Sequence, residues 1–155
     1  MSAEIKEKSF DEAPVWLQEW VKALESGDYQ QTTDVLCEVE FDDEEEEFEL
    51  YTIESRSYCC LGVLCNLQGL KEEVTSSNYI RFRLGESAES DMLPLTLIEK
   101  LGMHDSKGGL YGLANTLARL NDSGSSFKEI AQVIRGNWQR LLREYKELYT
   151  EELES

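Results

Sequence analysis

Cys60 is the side chain in this sequence most suited to covalent chemistry. It opens Cys60-Leu61-Gly62-Val63 at the expected start of a helix, where the aligned backbone amides favour a thiolate and lower a thiol's pKa. His104, the single histidine, would act as its base, with Asn115, Asn121 or Asp122 orienting the ring and Gln31 donating to an oxyanion. Against this chemistry stand the apolar neighbours of Cys60, which suit an inert core thiol, and a histidine with no supporting motif.

Seven residues suit recognition instead: Trp20, Ser26, Tyr29, Gln31, Tyr58, Asn121 and Asp122. The turn from Ser26 to Gln31 and the Asn121-Asp122 corner carry more hydrogen-bonding side chains than chain reversal needs, although Asn and Asp also close turns on their own backbone. No metal or cofactor is implied. Structural zinc usually combines two pairs of closely spaced cysteines, and Cys37, Cys59, Cys60 and Cys65 form no such clip. Neither Gly108-Gly109 nor Gly124 sits in a phosphate-binding fingerprint.

Charge narrows the partners. Fifteen basic against thirty-two acidic residues, 15 − 32 = −17, repel the backbone of nucleic acids and anionic membrane surfaces, so neither is an expected partner. The segment from Ser126 to Ile134 is faintly like the first helix of a helix-turn-helix, but no basic recognition helix follows it. Nine of the twelve residues from Glu38 to Glu49 are acidic, and charges that dense repel one another too strongly to pack. The run 42–47 is therefore expected as a solvated hairpin tip, with strands running into Phe41 and out through Phe48, Leu50 and Thr52. Its functional alternative is an acidic patch for a basic partner or a weak cation site, without the spacing that specifies a calcium loop. No N-terminal stretch joins a basic segment to an apolar core and a cleavage site, which points to a cytoplasmic location and reduced thiols.

The elements that must position these residues follow from periodicity. One domain is expected over 1–155, with 1–13 flexible or loosely docked. From Ser57 to Leu70 no side chain is charged, in a chain where 30% are, and the apolar residues point in nearly every direction of a helical period. That predicts a central buried helix over Tyr58 to Leu67, too short to span a membrane. Leu17, Trp20, Val21 and Leu24 predict a helix opened by Pro14 and stopped by Gly27. Strands are expected over Thr32 to Val39 and over Asn78 to Leu84, where apolar and polar residues alternate. Pro94 opens a short helix capped by Gly102, Leu113, Leu117 and Leu120 mark another, and Ser126-Phe127-Lys128-Glu129 is a capping box at the start of a further one. Beyond a break at Gly136-Asn137, Trp138, Leu141, Leu142, Tyr145, Leu148 and Tyr149 form a stripe that docks on the core or, alternatively, makes a homodimer seam. The fold class is α+β: a small antiparallel sheet of about three strands packed with four or five helices around the central one.

Several of these segments resemble, in order and spacing, a widespread family of small uncharacterised proteins encoded by bacteriophages and prophages. The resemblance rests on Trp20, Ala23-Leu24, Ser26-Gly27, Tyr29 and Gln31, on Tyr58-Cys59-Cys60-Leu61-Gly62-Val63-Leu64-Cys65, on Leu93-Pro94 with Leu101-Gly102, and on Leu120-Asn121-Asp122-Ser123-Gly124 followed by Ser126-Phe127-Lys128-Glu129-Ile130-Ala131. It implies a phage accessory protein acting inside a bacterium, with no activity attached. The expected function is non-catalytic binding of a host protein or small ligand, as in counter-defence. The alternatives are a cysteine amidase or peptidase, since Cys60-Leu61-Gly62-Val63 looks like the nucleophile segment of the papain-like enzymes, and a structural homodimer without ligand.

Overall fold

Helix α1 (Val15–Ser26) shows how directly the sequence writes some elements. Pro14, with φ of −52°, precedes it, Leu17, Trp20, Val21 and Leu24 form its buried face, and Gly27 ends it at φ +80°, a left-handed turn that a Cβ would strain. The computed structural model describes residues 8–41, 53–75 and 77–154, with side chains as far as residue 148. The acidic tip at 42–47, the strand positions Phe48, Leu50 and Thr52, and the side chain of Tyr149 lie outside the described residues.

The strands form two small sheets. In the first, β1 (Gln30–Gln31), β2 (Cys37–Phe41) and β3 (Ile53–Tyr58) are ordered β1-β3-β2, with β1 parallel to β3 and β2 antiparallel to it. The second is antiparallel in the order β4 (Lys71–Val74), β5 (Ile80–Leu84), β6 (Ser87–Glu89). A bridge between Glu38 and Tyr79, with Val39 N donating to Asn78 O at 2.9 Å, ties β2 to the second sheet. The alternation at 79–84 thus reads true, Ile80 and Phe82 pointing into the core. The strand expected from Thr32 begins only at Cys37, because Asp34 takes φ +71°, which breaks an extended run.

Helix α2 (Cys60–Leu67) is the central helix. Every residue from Cys60 to Cys65 is buried, and burying Leu61, Val63 and Leu64 contributes roughly 1.5–3 kcal/mol each. It starts later than expected, because Ser57 and Tyr58 pair with β1 and β2 as the end of β3. Cys59 then caps it, its sulfur accepting from Gly62 N at 3.4 Å.

Helix α3 (Leu95–Leu101) follows Pro94 and ends at Gly102, φ +74°. Helix α4 (Leu117–Asp122) begins after Leu113, which is exposed. Gly112 takes φ +87° and Thr116 caps the helix, its hydroxyl accepting from Arg119 N at 3.1 Å. Helix α5 (Phe127–Asn137) opens with the expected reciprocal box, Ser126 N to Glu129 Oε1 at 3.0 Å and Glu129 N to Ser126 Oγ at 3.1 Å. The Ser126 N–H, and after it the Ser126 hydroxyl, also hold the Glu129 carboxyl below its usual pKa. The helix ends at Asn137, whose φ of −140° leaves the helical range at the break expected there, and passes into a 3-10 turn at Trp138–Leu141, which leads to α6 (Arg143–Glu154). Trp138 and Leu141 face the protein's own core, while Leu148 is exposed.

The stretch expected to be loose at the N-terminus is docked where it is described. Ser9 N donates to Glu12 Oε2 at 3.1 Å, Phe10–Glu12 form a 3-10 turn, and Ala13 is buried. The cause is Phe10, which packs on the core under the Arg135 guanidinium, 4.9 Å from the ring centroid. Helices α1, α2, α4 and α5 pack in succession, so that α2 is enclosed between helices and the first sheet.

Candidate functional site

The start of α2 gathers most of the residues the sequence singles out. Its first amide, Cys60 N, sits in the buried interior, where an unpaired donor costs about 1–3 kcal/mol. Asn121, at the end of α4, answers it: Oδ1 accepts from Cys60 N at 3.1 Å and from Gln31 Nε2 at 2.9 Å. Its Nδ2 donates to Thr32 O at 2.8 Å and to Asp122 Oδ1 at 3.4 Å. Two acceptor and two donor positions are all that an amide has, so Asn121 is saturated. It is 1% exposed, the one buried polar side chain among the described residues.

Around this amide the other candidates interlock. Gln31 Nε2 also donates to Ser125 O at 2.8 Å, Asp122 Oδ1 accepts from Asp34 N at 2.9 Å, and Trp20 Nε1 donates to Cys60 O at 2.9 Å. Tyr29 meets Tyr58 edge to face, with centroids 5.2 Å apart, and its hydroxyl accepts from Asn66 Nδ2 at 2.8 Å. Ser26 stands apart, its hydroxyl bonding Ala23 O and Asp28 N within its own turn. Gly62 completes the corner, because a Cβ there would stand 1.7 Å from Leu36 O, the carbonyl that accepts from Cys59 N. The structure therefore brings Trp20, Tyr29, Gln31, Tyr58, Asn121 and Asp122 together, and their hydrogen bonds are spent on holding α1, β1, α2 and α4 to one another.

The thiol and the imidazole are not brought together. Cys60 is 0% exposed, its Sγ donates to Leu117 O at 3.5 Å, and burial pushes its pKa well above the ordinary value. Burial likewise raises Cys65, Cys59 to about 11 and Cys37 to about 12; all four thiols are free. A helix N-terminus does lower a thiol's pKa, but here loss of solvation outweighs it. His104 Nε2 lies 2.9 Å from Arg140 O and therefore carries the ring proton, while the ring stands edge-on to Tyr111. Among the described residues no hydrogen bond joins His104 to Cys60, Asn115, Asn121 or Asp122. Gln31 is turned to Asn121 and Ser125 instead.

Beside the corner lies an open depression of about 430 Å³, lined by Lys107, Ala114, Thr116, Ala118, Arg119 and Asp122. Leu117 N to Gly108 O at 3.0 Å and Ala118 N to Lys107 O at 3.1 Å lay the loop along α4, which is what sets Lys107 beside Arg119. No carboxylate among the described residues pairs with either cation. Sequence reasoning passed over both. The one available signal was two basic residues flanking the Leu113 to Leu117 segment of an acidic chain.

Among the described residues no group of three or more His, Cys, Asp or Glu side chains is placed to hold a metal ion, and no helix is long and apolar enough to cross a membrane. The model of one family, described as a domain of unknown function (DUF8296), matches residues 15–138, and the chain belongs to that family. No curated protein and no solved structure matches it.

Proposed function

We propose that this member of a family of unknown function is a non-catalytic binding protein, phage-encoded and acting in the bacterial cytoplasm on a host protein or small ligand, as in counter-defence. The observation that carries the reading is a polar corner whose Asn121 amide is fully bonded, beside an open depression in which Lys107 and Arg119 have no acidic partner among the described residues. On a chain of net charge −17, two cations that no described carboxylate pairs with suit the anionic groups of a partner. Buried thiols with raised pKa values favour binding over thiol catalysis, because the thiolate is the nucleophile. The sequence resemblance to phage proteins supports the origin.

Two measurements test this. Tagged native chain and a Lys107→Glu/Arg119→Glu variant are incubated with bacterial lysate, and retained proteins and small molecules are identified by mass spectrometry. A partner held by the native chain and lost from the equally well folded variant is expected. Equal retention by both, or none by either, would remove this surface from the proposal. In parallel, iodoacetamide at neutral pH should leave Cys60 unmodified until denaturant is added. Rapid labelling in the native state that slows in His104→Ala would put the cysteine hydrolase first.

A further inference from the structure

Where α5 gives way to the 3-10 turn, a cavity of about 100 Å³ opens, lined in part by Lys8, Asn137, Trp138 and Arg140. Trp138 is 5% exposed, and its Nε1 is the one buried side-chain nitrogen or oxygen among the described residues without a hydrogen-bond partner. A buried N–H in that condition marks a place where an acceptor belongs. The contrast with Trp20, whose equivalent N–H meets Cys60 O, shows that the fold pairs its indoles where it has an acceptor to offer.

Two cations share the cavity. Arg140 is held on one side by Nη1 donating to Tyr111 O at 2.8 Å and lies 5.2 Å over the Tyr145 ring, so its plane is fixed before anything binds. Gly112 permits this placement, since a Cβ there would come 2.7 Å from Arg140 Nη1. Lys8 is brought in by its own backbone, Lys8 N donating to Gln139 Oε1 at 2.8 Å. Among the described residues no carboxylate pairs with either, in a chain with 32 acidic residues. The C-terminal end of α5 brings about half a negative charge nearby, less than the two full positive charges opposing it. The volume suits about three waters or one group of the size of a carboxylate or phosphate.

We infer that this cavity is a binding site for a compact oxyanion, a carboxylate or phosphate group, received by Trp138 Nε1, Arg140 and Lys8. Charge-assisted hydrogen bonds from a fixed guanidinium and an indole would orient the group, with Lys8 closing the rim. The site is independent of the Lys107 and Arg119 depression.

The test follows the indole N–H resonances of Trp16, Trp20 and Trp138 in ¹⁵N-labelled protein, assigned with a Trp138→Phe variant. Inorganic phosphate and sodium acetate are titrated separately, with sodium chloride at matched ionic strength as the control. The Trp138 resonance should move downfield and saturate with at least one of the two anions while Trp16 and Trp20 stay in place, and the tighter of the two names the group preferred. Lys8→Gln should weaken binding several-fold and Arg140→Gln roughly tenfold or more. If Arg140→Gln unfolds for want of its bond to Tyr111 O, Lys8→Gln carries the comparison, since no hydrogen bond or ion pair joins the Lys8 side chain to another described residue. A Trp138 resonance that does not respond, that responds equally to chloride, or that saturates identically in Lys8→Gln would overturn the assignment and leave a water-filled cavity.

Discussion

Replacing Asn121 with alanine should destabilise the protein far more than a polar residue beside a turn ordinarily does. The substitution strips the acceptor from Cys60 N, which is wholly buried, and the donor from Thr32 O, which is half-buried. Gln31 Nε2 keeps Ser125 O and loses little. An orphaned buried amide costs about 1–3 kcal/mol, a partly shielded carbonyl about 1, and the vacated amide volume adds a fraction more, for a total of about 3 kcal/mol. With a urea dependence of about 2 kcal/mol per molar, the unfolding midpoint should fall by about 1.5 M, read by far-UV circular dichroism. Asn121→Asp gives a sharper contrast. It keeps the acceptor but sets an oxygen against Thr32 O and the Asp122 carboxylate, so it should be at least as damaging at neutral pH. Protonation restores a donor, and because burial beside Asp122 raises this carboxyl above its ordinary pKa in the folded state, stability should recover as pH falls from neutral toward about 4, with no further gain from this group below that. A loss of less than about 1 kcal/mol for Asn121→Ala, or native stability of Asn121→Asp at neutral pH, would refute the claim that this amide holds α4, β1 and α2 together.

Gly62→Ala should prevent stable folding, because its Cβ would stand 1.7 Å from Leu36 O and the clash is with backbone that itself bonds Cys59 N; a cooperative native-like unfolding transition would contradict this. Stability should decline at alkaline pH. Below the ordinary thiol value of 9.0 folded and unfolded chains both carry protonated thiols, whereas above it only the unfolded chain ionises, until the folded values of about 11 for Cys59 and about 12 for Cys37 are reached. Each such thiol lowers stability by up to about 1.4 kcal/mol per pH unit in that window, so an unchanged urea midpoint between neutral pH and about pH 10.5, under reducing conditions, would disprove the burial effect. Ser126→Ala should cost about 1 kcal/mol by removing the acceptor of Glu129 N, and it should let the Glu129 carboxyl titrate nearer its usual value, as carboxyl NMR would report.

What the sequence by itself determined is the part of this protein written in interactions that close within a turn or two. The buried face of α1, its stop at Gly27, the Ser126 box, Pro94 with Gly102, and the alternation at 79–84 each depend on residues a few positions apart, so periodicity and cap chemistry are enough to place them. The uncharged stretch around α2 likewise announced burial, since no charged side chain had to be kept wet. Tertiary structure decided everything that needs a distant partner. Tyr58 has a composition that suits helix, yet it ends a strand because Gln31 and Cys37 flank it. The division of the strands between two sheets rests on pairings that alternation cannot choose among. Asn121 and Gln31 were visible as polar residues with functional potential, but whether they face a ligand or one another depends on contacts 61 and 90 residues away. The reactivity of Cys60 turned the same way, because the helix start that would have activated it is local and the shell that desolvates it is not. Lys8 and Arg140 meet across more than 130 positions only because the N-terminal turn docks on the end of α5, and no local pattern encodes that meeting.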